Sequence, residues 1–164
     1  MDKTRQIHEF GPCYDGKSEI LILGSFPSVK SRETGFYYGH PKNRFWKLLA
    51  ALYEEDVPED IPQKKVFLKK HKIALWDVIE SCEIAGSSDS SIQNAVLNDI
   101  GRILKEAPVR AVYANGKKAE GLYQKHIEPQ TGRAAIGLPS TSPANAAFSM
   151  DRLLAAWKRI LDGL

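Results

Sequence analysis

The chain has 164 residues, 43% hydrophobic and 26% charged. That balance excludes a disordered polymer and suits one domain, 1–164, burying about two-thirds of its unfolded surface. No apolar run approaches the ~20 residues a bilayer span needs. Residues 1–13 hold no apolar signal core, so a cytoplasmic protein is expected. The net charge of +3 permits a polyanionic partner without requiring one. Cys13 and Cys82 form no CxxC pair, and His8, His40, His71 and His126 lack ligand spacing. No metal or cofactor is therefore expected.

A lead-in over 1–18 is punctuated by Phe10-Gly11-Pro12 and Tyr14-Asp15-Gly16. Ile20-Leu21-Ile22-Leu23 is a short apolar run without polar alternation, stopped by Gly24. It predicts a strand covered on both faces. Residues 24–43 then carry loop chemistry, and a loop that long inside a compact domain is either functional or disordered. Three adjacent bulky rings, Phe36, Tyr37 and Tyr38, argue for order. A helix over 44–53 places Phe45, Leu48, Leu49 and Leu52 on one face.

After a connector over 56–61, a short basic helix covers 63–71, and Ile73-Ala74-Leu75-Trp76 reads as a second buried strand. Residues 83–91 are polar and small, the mark of a mobile insertion. Residues 94–107 read as a helix with Val96, Leu97, Ile100, Ile103 and Leu104 as its apolar stripe. A third strand over 110–114 runs into Asn115-Gly116-Lys117-Lys118 and a helix to about 126. The fourth covers 134–138, and a conspicuous loop follows over 139–145. Ser149 caps a last helix that turns Leu153, Leu154, Trp157, Ile160 and Leu161 inward. Strand–helix alternation four times over predicts the α/β class. The expected form is a three-layer αβα sandwich around a four-stranded, mainly parallel sheet.

Three loops, 24–43, 115–118 and 139–145, thus leave carboxyl ends of parallel strands, the edge where such sheets bind ligands. A Gly-x-Ser-x-Gly hydrolase is excluded, because Ser25 is followed by Phe26-Pro27 and no histidine follows His126. Neither a P-loop nor a GxGxxG turn is present. What remains is stacking and hydrogen bonding. Aromatic rings bind the face of a base, and amides such as Asn43 read its edge. Lys30, Arg32, Lys42, Arg44, Lys117 and Lys118 flank the loops, where they could hold phosphates.

Leu21-Ile22-Leu23-Gly24-Ser25-Phe26-Pro27-Ser28, the string Gly35 to Trp46 with its His40-Pro41-Lys42-Asn43-Arg44 centre, and Leu138-Pro139-Ser140-Thr141-Ser142-Pro143-Ala144-Asn145 resemble the uracil-DNA glycosylase superfamily. The likeness is nearest to its hypoxanthine-DNA and mismatch-specific uracil/thymine branches, and covers nearly the whole chain. The resemblance implies that fold, and that the 24–27 backbone approaches an extrahelical base with Gly24, Ser25, Phe26, Tyr38 and His40 around it. It implies that Tyr38 stacks on that base. Ser140, Thr141, Ser142, Pro143 and Asn145 would press on the minor groove, with Lys42 and Lys117 on the DNA.

Most branches carry Asp or Asn before the first-motif proline, where this chain has Phe26. They open the second motif with His or Asn, where it has Leu138. The hypoxanthine branch resembles this pattern and relies on a later asparagine, which matches Asn43. Asn43 is the expected catalytic group, orienting water or holding the base. It also directly precedes a helix, and Asn is a good N-cap. Asp77, after the second strand, reads as a cap or turn residue, with a polar group in the pocket as the alternative.

The reading is a monofunctional DNA glycosylase that removes hypoxanthine or uracil without metal or cofactor. Its partner is DNA, duplex or single-stranded, with no membrane, and a monomer is expected. Its rivals are a catalytically weak damage binder of the same fold and a nucleoside or nucleotide hydrolase.

Overall fold

The structure is a computed structural model describing residues 3–8 and 10–162. Met1, Asp2 and Glu9 of the lead-in, and Gly163 and Leu164, lie outside the described residues. Strands β2 (Ile20–Gly24) and β3 (Ile73–Asp77) are buried along their full length, as their unbroken apolar runs require. With β6 (Ala111–Asn115) and β7 (Ala135–Leu138) they form a four-stranded parallel sheet in the order β3-β2-β6-β7. Gly24 stands opposite Asp77 at one strand end, and Asn115 opposite Leu138. The chain winds outward from β2 to β3, then crosses to β6 and β7 on the other side. The crevice between β2 and β6 is the switch point where ligands bind in such sheets.

Helices flank this sheet: α2 (Phe45–Leu52), α3 (Ile61–Lys70), α4 (Gly101–Glu106), α5 (Lys117–Leu122), α6 (Glu128–Thr131), α7 (Met150–Trp157) and α8 (Arg159–Asp162). One turn of π-helix, Tyr123–Ile127, joins α5 to α6. The 45–52 helix packs on α7 through Phe45 and Trp157, whose rings meet edge to face at 6.0 Å. Ser149 caps α7 by accepting from the Arg152 amide, as its position predicts. Trp46, Trp76 and Trp157 are core residues.

Three expectations change. The loop over 24–43 contains a helix, α1 (Val29–Thr34), capped by Ser28 and closed by Gly35 at φ +78°. The helix expected over 94–107 is split: Gln93–Leu97 is strand β5, and only 101–106 is helical. Val96, placed in the apolar stripe, is 47% exposed. Strand β5 pairs with β4 (Ile79–Ile84), and β1 (Thr4–Ile7) in the lead-in pairs with β4's other edge, giving a second, antiparallel sheet. Finally, 83–91 is not one loop: Glu83 and Ile84 belong to β4, and Gly86 and Ser87 meet α1, with Ser87 Oγ accepting from the Val29 amide and the Gly86 carbonyl from Arg32.

Candidate active site

At the crevice the strand ends enclose a cleft of about 990 Å³, large enough for a nucleotide-sized ligand. Gly24, Ser25, Phe26, Tyr38, His40 and Asn43 border it on one side. Lys117, Ser140, Thr141, Ser142, Pro143 and Asn145 border it on the other. Lys42 is exposed and does not line it. A second cavity, about 650 Å³ between β5 and α5, holds none of these; Lys118 lines both.

The floor is tight. A methyl group in place of the Gly24 hydrogen would sit 2.5 Å from Asp77 Oδ1 and 3.1 Å from the Tyr38 hydroxyl. Only glycine leaves room there. Tyr38 is held at φ +55°, a left-handed conformation that costs a non-glycine residue about 1–3 kcal/mol. Its ring stacks on Phe45 at 3.9 Å. Burial, then the charge of Asp77, raises its phenol pKa, while the Asn115 side chain pulls the other way. Phe36 and Tyr37 turn into the core, so of the three adjacent rings Tyr38 stands nearest the opening.

Asn43 accepts from the Phe45 amide with Oδ1 at 2.9 Å; the N-cap position itself is Arg44, so Asn43 satisfies the first helical amide from one residue further out. The same amide keeps both NH2 protons and the second lone pair of its oxygen. His40 Nδ1 accepts from the Lys42 amide at 3.0 Å, which fixes the turn between them.

The opposite wall hangs on three side chains. Arg44, counted from sequence among the phosphate cations, is turned inward. Its guanidinium donates to the carbonyls of Ser142, Asn145 and Phe148, while its amide donates to the Thr141 carbonyl. Asn115, only 9% exposed, donates to Thr141 Oγ1 and accepts from the Thr141 amide, both at 3.1 Å. Trp157 donates to the Pro139 carbonyl. Of the other flanking cations, Lys30 faces Glu33 at 3.7 Å and Arg32 is bound to Gly86.

Sequence reasoning preferred a cap or turn role for Asp77 over a polar group in the pocket, and read His8 as an ordinary histidine. The structure joins them. Asp77 is 3% exposed, lines the cleft and holds His8 Nε2 at 2.7 Å. The one signal in the chain was position, since Asp77 follows an apolar run just as Gly24 does. Asp89 is a further addition. It accepts from Ser25 Oγ at 2.7 Å; desolvation against the cleft wall raises its pKa even though part of the side chain faces solvent. Among the described residues no cluster of three or more histidine, cysteine or acidic side chains could hold a metal ion, and no helix is long and apolar enough to cross a membrane.

The model of the uracil DNA glycosylase superfamily matches residues 10–161. The chain belongs to that superfamily. Within it, two relatives named hypoxanthine DNA glycosylase are similar to this chain. One, from Methanosarcina acetivorans, is 37% identical over 87% of this chain and 90% of its own length. The other, from Methanosarcina barkeri, is 38% identical over 83% and 86%. A solution NMR structure from M. acetivorans, described as a candidate uracil DNA glycosylase, superposes with a TM-score of 0.77 at 34% identity, covering 93% of this chain and 96% of that one. In this superfamily member the Gly24–Pro27 turn and the 138–145 loop line one cleft, with Phe26 and Leu138 in its wall.

Proposed function

We propose that the protein is a monofunctional DNA glycosylase that takes hypoxanthine or uracil into the β2/β6 cleft and hydrolyses its N-glycosidic bond. The observation that carries this is convergence. The first-motif turn, Tyr38, Asn43 and the 140–145 loop meet around one nucleotide-sized opening at the switch point of the sheet. The likeness to two hypoxanthine DNA glycosylases supports the substrate class. DNA is the partner and no membrane is involved; the protein works in the cytoplasm as a monomer. The deaminated base is everted at a cost of a few kcal/mol, least where its pairing is already weak.

Cleavage passes through an oxocarbenium-like state in which negative charge gathers on the departing base. Neutral donors aimed at that base lower the barrier, and one such donor contributes about 10²–10³ in rate. Asn43, its oxygen held by the Phe45 amide, offers its NH2 to the base. Its role is to hold the leaving group. Tyr38, braced by Phe45, bounds the base on one side, with Gly24, Ser25, Phe26 and His40 completing the pocket. Ser140, Thr141, Ser142, Pro143 and Asn145 press on the DNA from the opposite wall. Lys117, and Lys42 outside the cleft, face phosphates.

The test uses labelled duplexes bearing deoxyinosine or deoxyuridine, with a chelator present. Strand breaks are expected only after alkali, which reveals abasic sites. Asn43→Ala removes the product and lowers helix stability by about 1 kcal/mol. Asn43→Asp keeps the acceptor for the Phe45 amide but loses the donor, so its stability returns while its activity does not. Recovery of both would move the catalytic role elsewhere.

A further inference from the structure

The second cavity, about 650 Å³, takes no part in the proposed reaction. Its floor is apolar: Ala95 and Leu97 of β5 line one side, and Leu122 of α5 and Ile127 of the π turn line the other. The π turn, bonded i→i+5, brings His126 and Ile127 to the same side as Leu122. The rim is polar. Asn94 and Asn98 are tied to the protein, through Glu83 and the Asp77 carbonyl. Gln93, Gln130, Lys118 and His126 are not: among the described residues their side chains make no hydrogen bond or ion pair. An apolar floor under a few convergent polar groups is the make-up of a small-ligand site, and the volume suits one nucleotide.

Two arguments select that ligand. The first is position. Lys118 lines this groove and the lesion cleft alike, so the two adjoin at a cation. The phosphate joining a lesion to its neighbour passes through that junction. The lining acid, Asp99, turns back over Gly101 at the start of α4. The second argument is backbone, and it disfavours a peptide. Among the described residues no strand covers the outer edge of β5, but that edge is irregular. Asn94 stands at φ +52°, its carbonyl accepts from Arg5, and the β4–β5 ladder shifts register twice. Irregularities of this kind blunt an edge against strand addition.

We propose that the groove between β5 and α5 is a second nucleotide site, which takes one unpaired nucleotide from the strand that carries the lesion. Its base lies on Ala95, Leu97, Leu122 and Ile127, its edge meets the Gln93 and Gln130 amides, and its phosphate sits at Lys118. The inference rests on the glycosylase reading and deepens it, because it fixes which form of DNA gains from the groove. In a duplex the neighbouring base is stacked and paired, so seating it requires a second eversion. Single strands, loops and frayed ends escape most of that cost.

The experiment uses single-stranded oligonucleotides carrying 2′-fluoro-arabino-deoxyinosine, which resists cleavage, with binding read by fluorescence anisotropy. One flanking base at a time is replaced by a tetrahydrofuran abasic unit. In the wild-type protein one flanking position should lose about fivefold in affinity, the low end for a base seated on a protein surface, and the others less than about twofold. Ala95→Ile fills the floor without adding charge and suits a strand, while Gln130→Glu sets an anion at the exposed rim. The two lie on different elements, so misfolding of one leaves the other to decide. Each should weaken the intact single strand about fivefold and erase the dependence on that position. Each should also cleave deoxyinosine in a fully paired duplex within about twofold of wild type, since a paired neighbour does not reach the groove. A wild-type protein that responds alike at every flanking position, or a folded variant that keeps the wild-type pattern, overturns the inference. Tight binding of free deoxyadenosine 5′-monophosphate that both variants lose would assign the groove to a free nucleotide and overturn its place on the strand. If the wild-type protein cleaves neither substrate while the positional dependence stands, the glycosylase reading falls and the groove remains.

Discussion

The two walls of the cleft are built on different physics. The 24–43 wall is anchored by apolar burial. Phe36 and Tyr37 are 5% and 2% exposed, Phe36 lies over Trp46 at 6.2 Å, and Trp46 donates to the Tyr37 carbonyl. The 139–148 wall buries few large side chains and is tied down by donors from Arg44, Asn115 and Trp157. Many small dispersion contacts can lose a member and still hold. A wall hung on three side chains cannot, because each lost side chain removes a tie between the loop and the rest of the fold.

Breaking the polar wall should therefore give the largest effect. Arg44→Ala removes the guanidinium that ties three carbonyls together and leaves that of Phe148 without its donor, while those of Ser142 and Asn145 still accept from the Asn145 and Phe148 amides. Stability should fall by about 1–3 kcal/mol, and kcat/KM by about 10², the cost of moving a positioning loop by an ångström. Arg44→Lys should not rescue it, since an ammonium lacks the planar fork that spans separate carbonyls. Rescue by lysine would show that charge, not geometry, is what Arg44 supplies. Next comes Asn115→Leu, similar in size and buried. It strands the Thr141 amide and hydroxyl, costing about 1–3 kcal/mol in chemical denaturation. Activity should fall about tenfold, less than for Arg44 because Arg44 still grips the far end of the loop.

The same contrast explains what the sequence disclosed. The parallel sheet was legible because Ile20 to Leu23 and Ile73 to Trp76 must be buried on both faces, and a solid apolar run says so. The motif loops were legible as strand-end loops. The antiparallel sheet was not. Its strands are half exposed and pair at long range, Thr4 with Ile84 for instance, and Val96 to Leu104 happens to fit a helical stripe. Pairing across such a distance leaves no local period. His8 and Asp77 stand 69 residues apart, and no spacing rule joins them. Arg44 misled for a related reason: a cation beside a DNA-facing loop looks the same whether it faces phosphate or carbonyl.

That distinction can be measured with salt. Each phosphate contact contributes about −0.9 to the slope of log affinity against log salt. Lys117 is exposed at the cleft rim, so Lys117→Ala should weaken duplex binding several-fold and flatten the slope by about one. Lys42→Ala should do the same. Arg44→Ala should weaken binding without that change in slope, its charge being spent on the protein's own backbone. A slope change for Arg44 as large as for Lys117 would place its guanidinium on DNA.

The smallest effect on activity is expected from the apolar wall. Phe36 is buried against Trp46 and Tyr37 and touches the cleft only through its neighbours. Phe36→Leu removes part of a packed ring, and the surrounding aromatics close over some of the gap. The cost is about 1–2 kcal/mol of stability, seen as a lower denaturation midpoint at unchanged slope. Because Tyr37 still donates to the Gly11 carbonyl at 3.0 Å and accepts from Trp46 through its own carbonyl, Tyr38 keeps its place. So kcat/KM on deoxyinosine should stay within about threefold of wild type. A fall comparable to that of Arg44→Ala would mean that the first wall is as brittle as the second, and that aromatic packing alone sets the position of Tyr38.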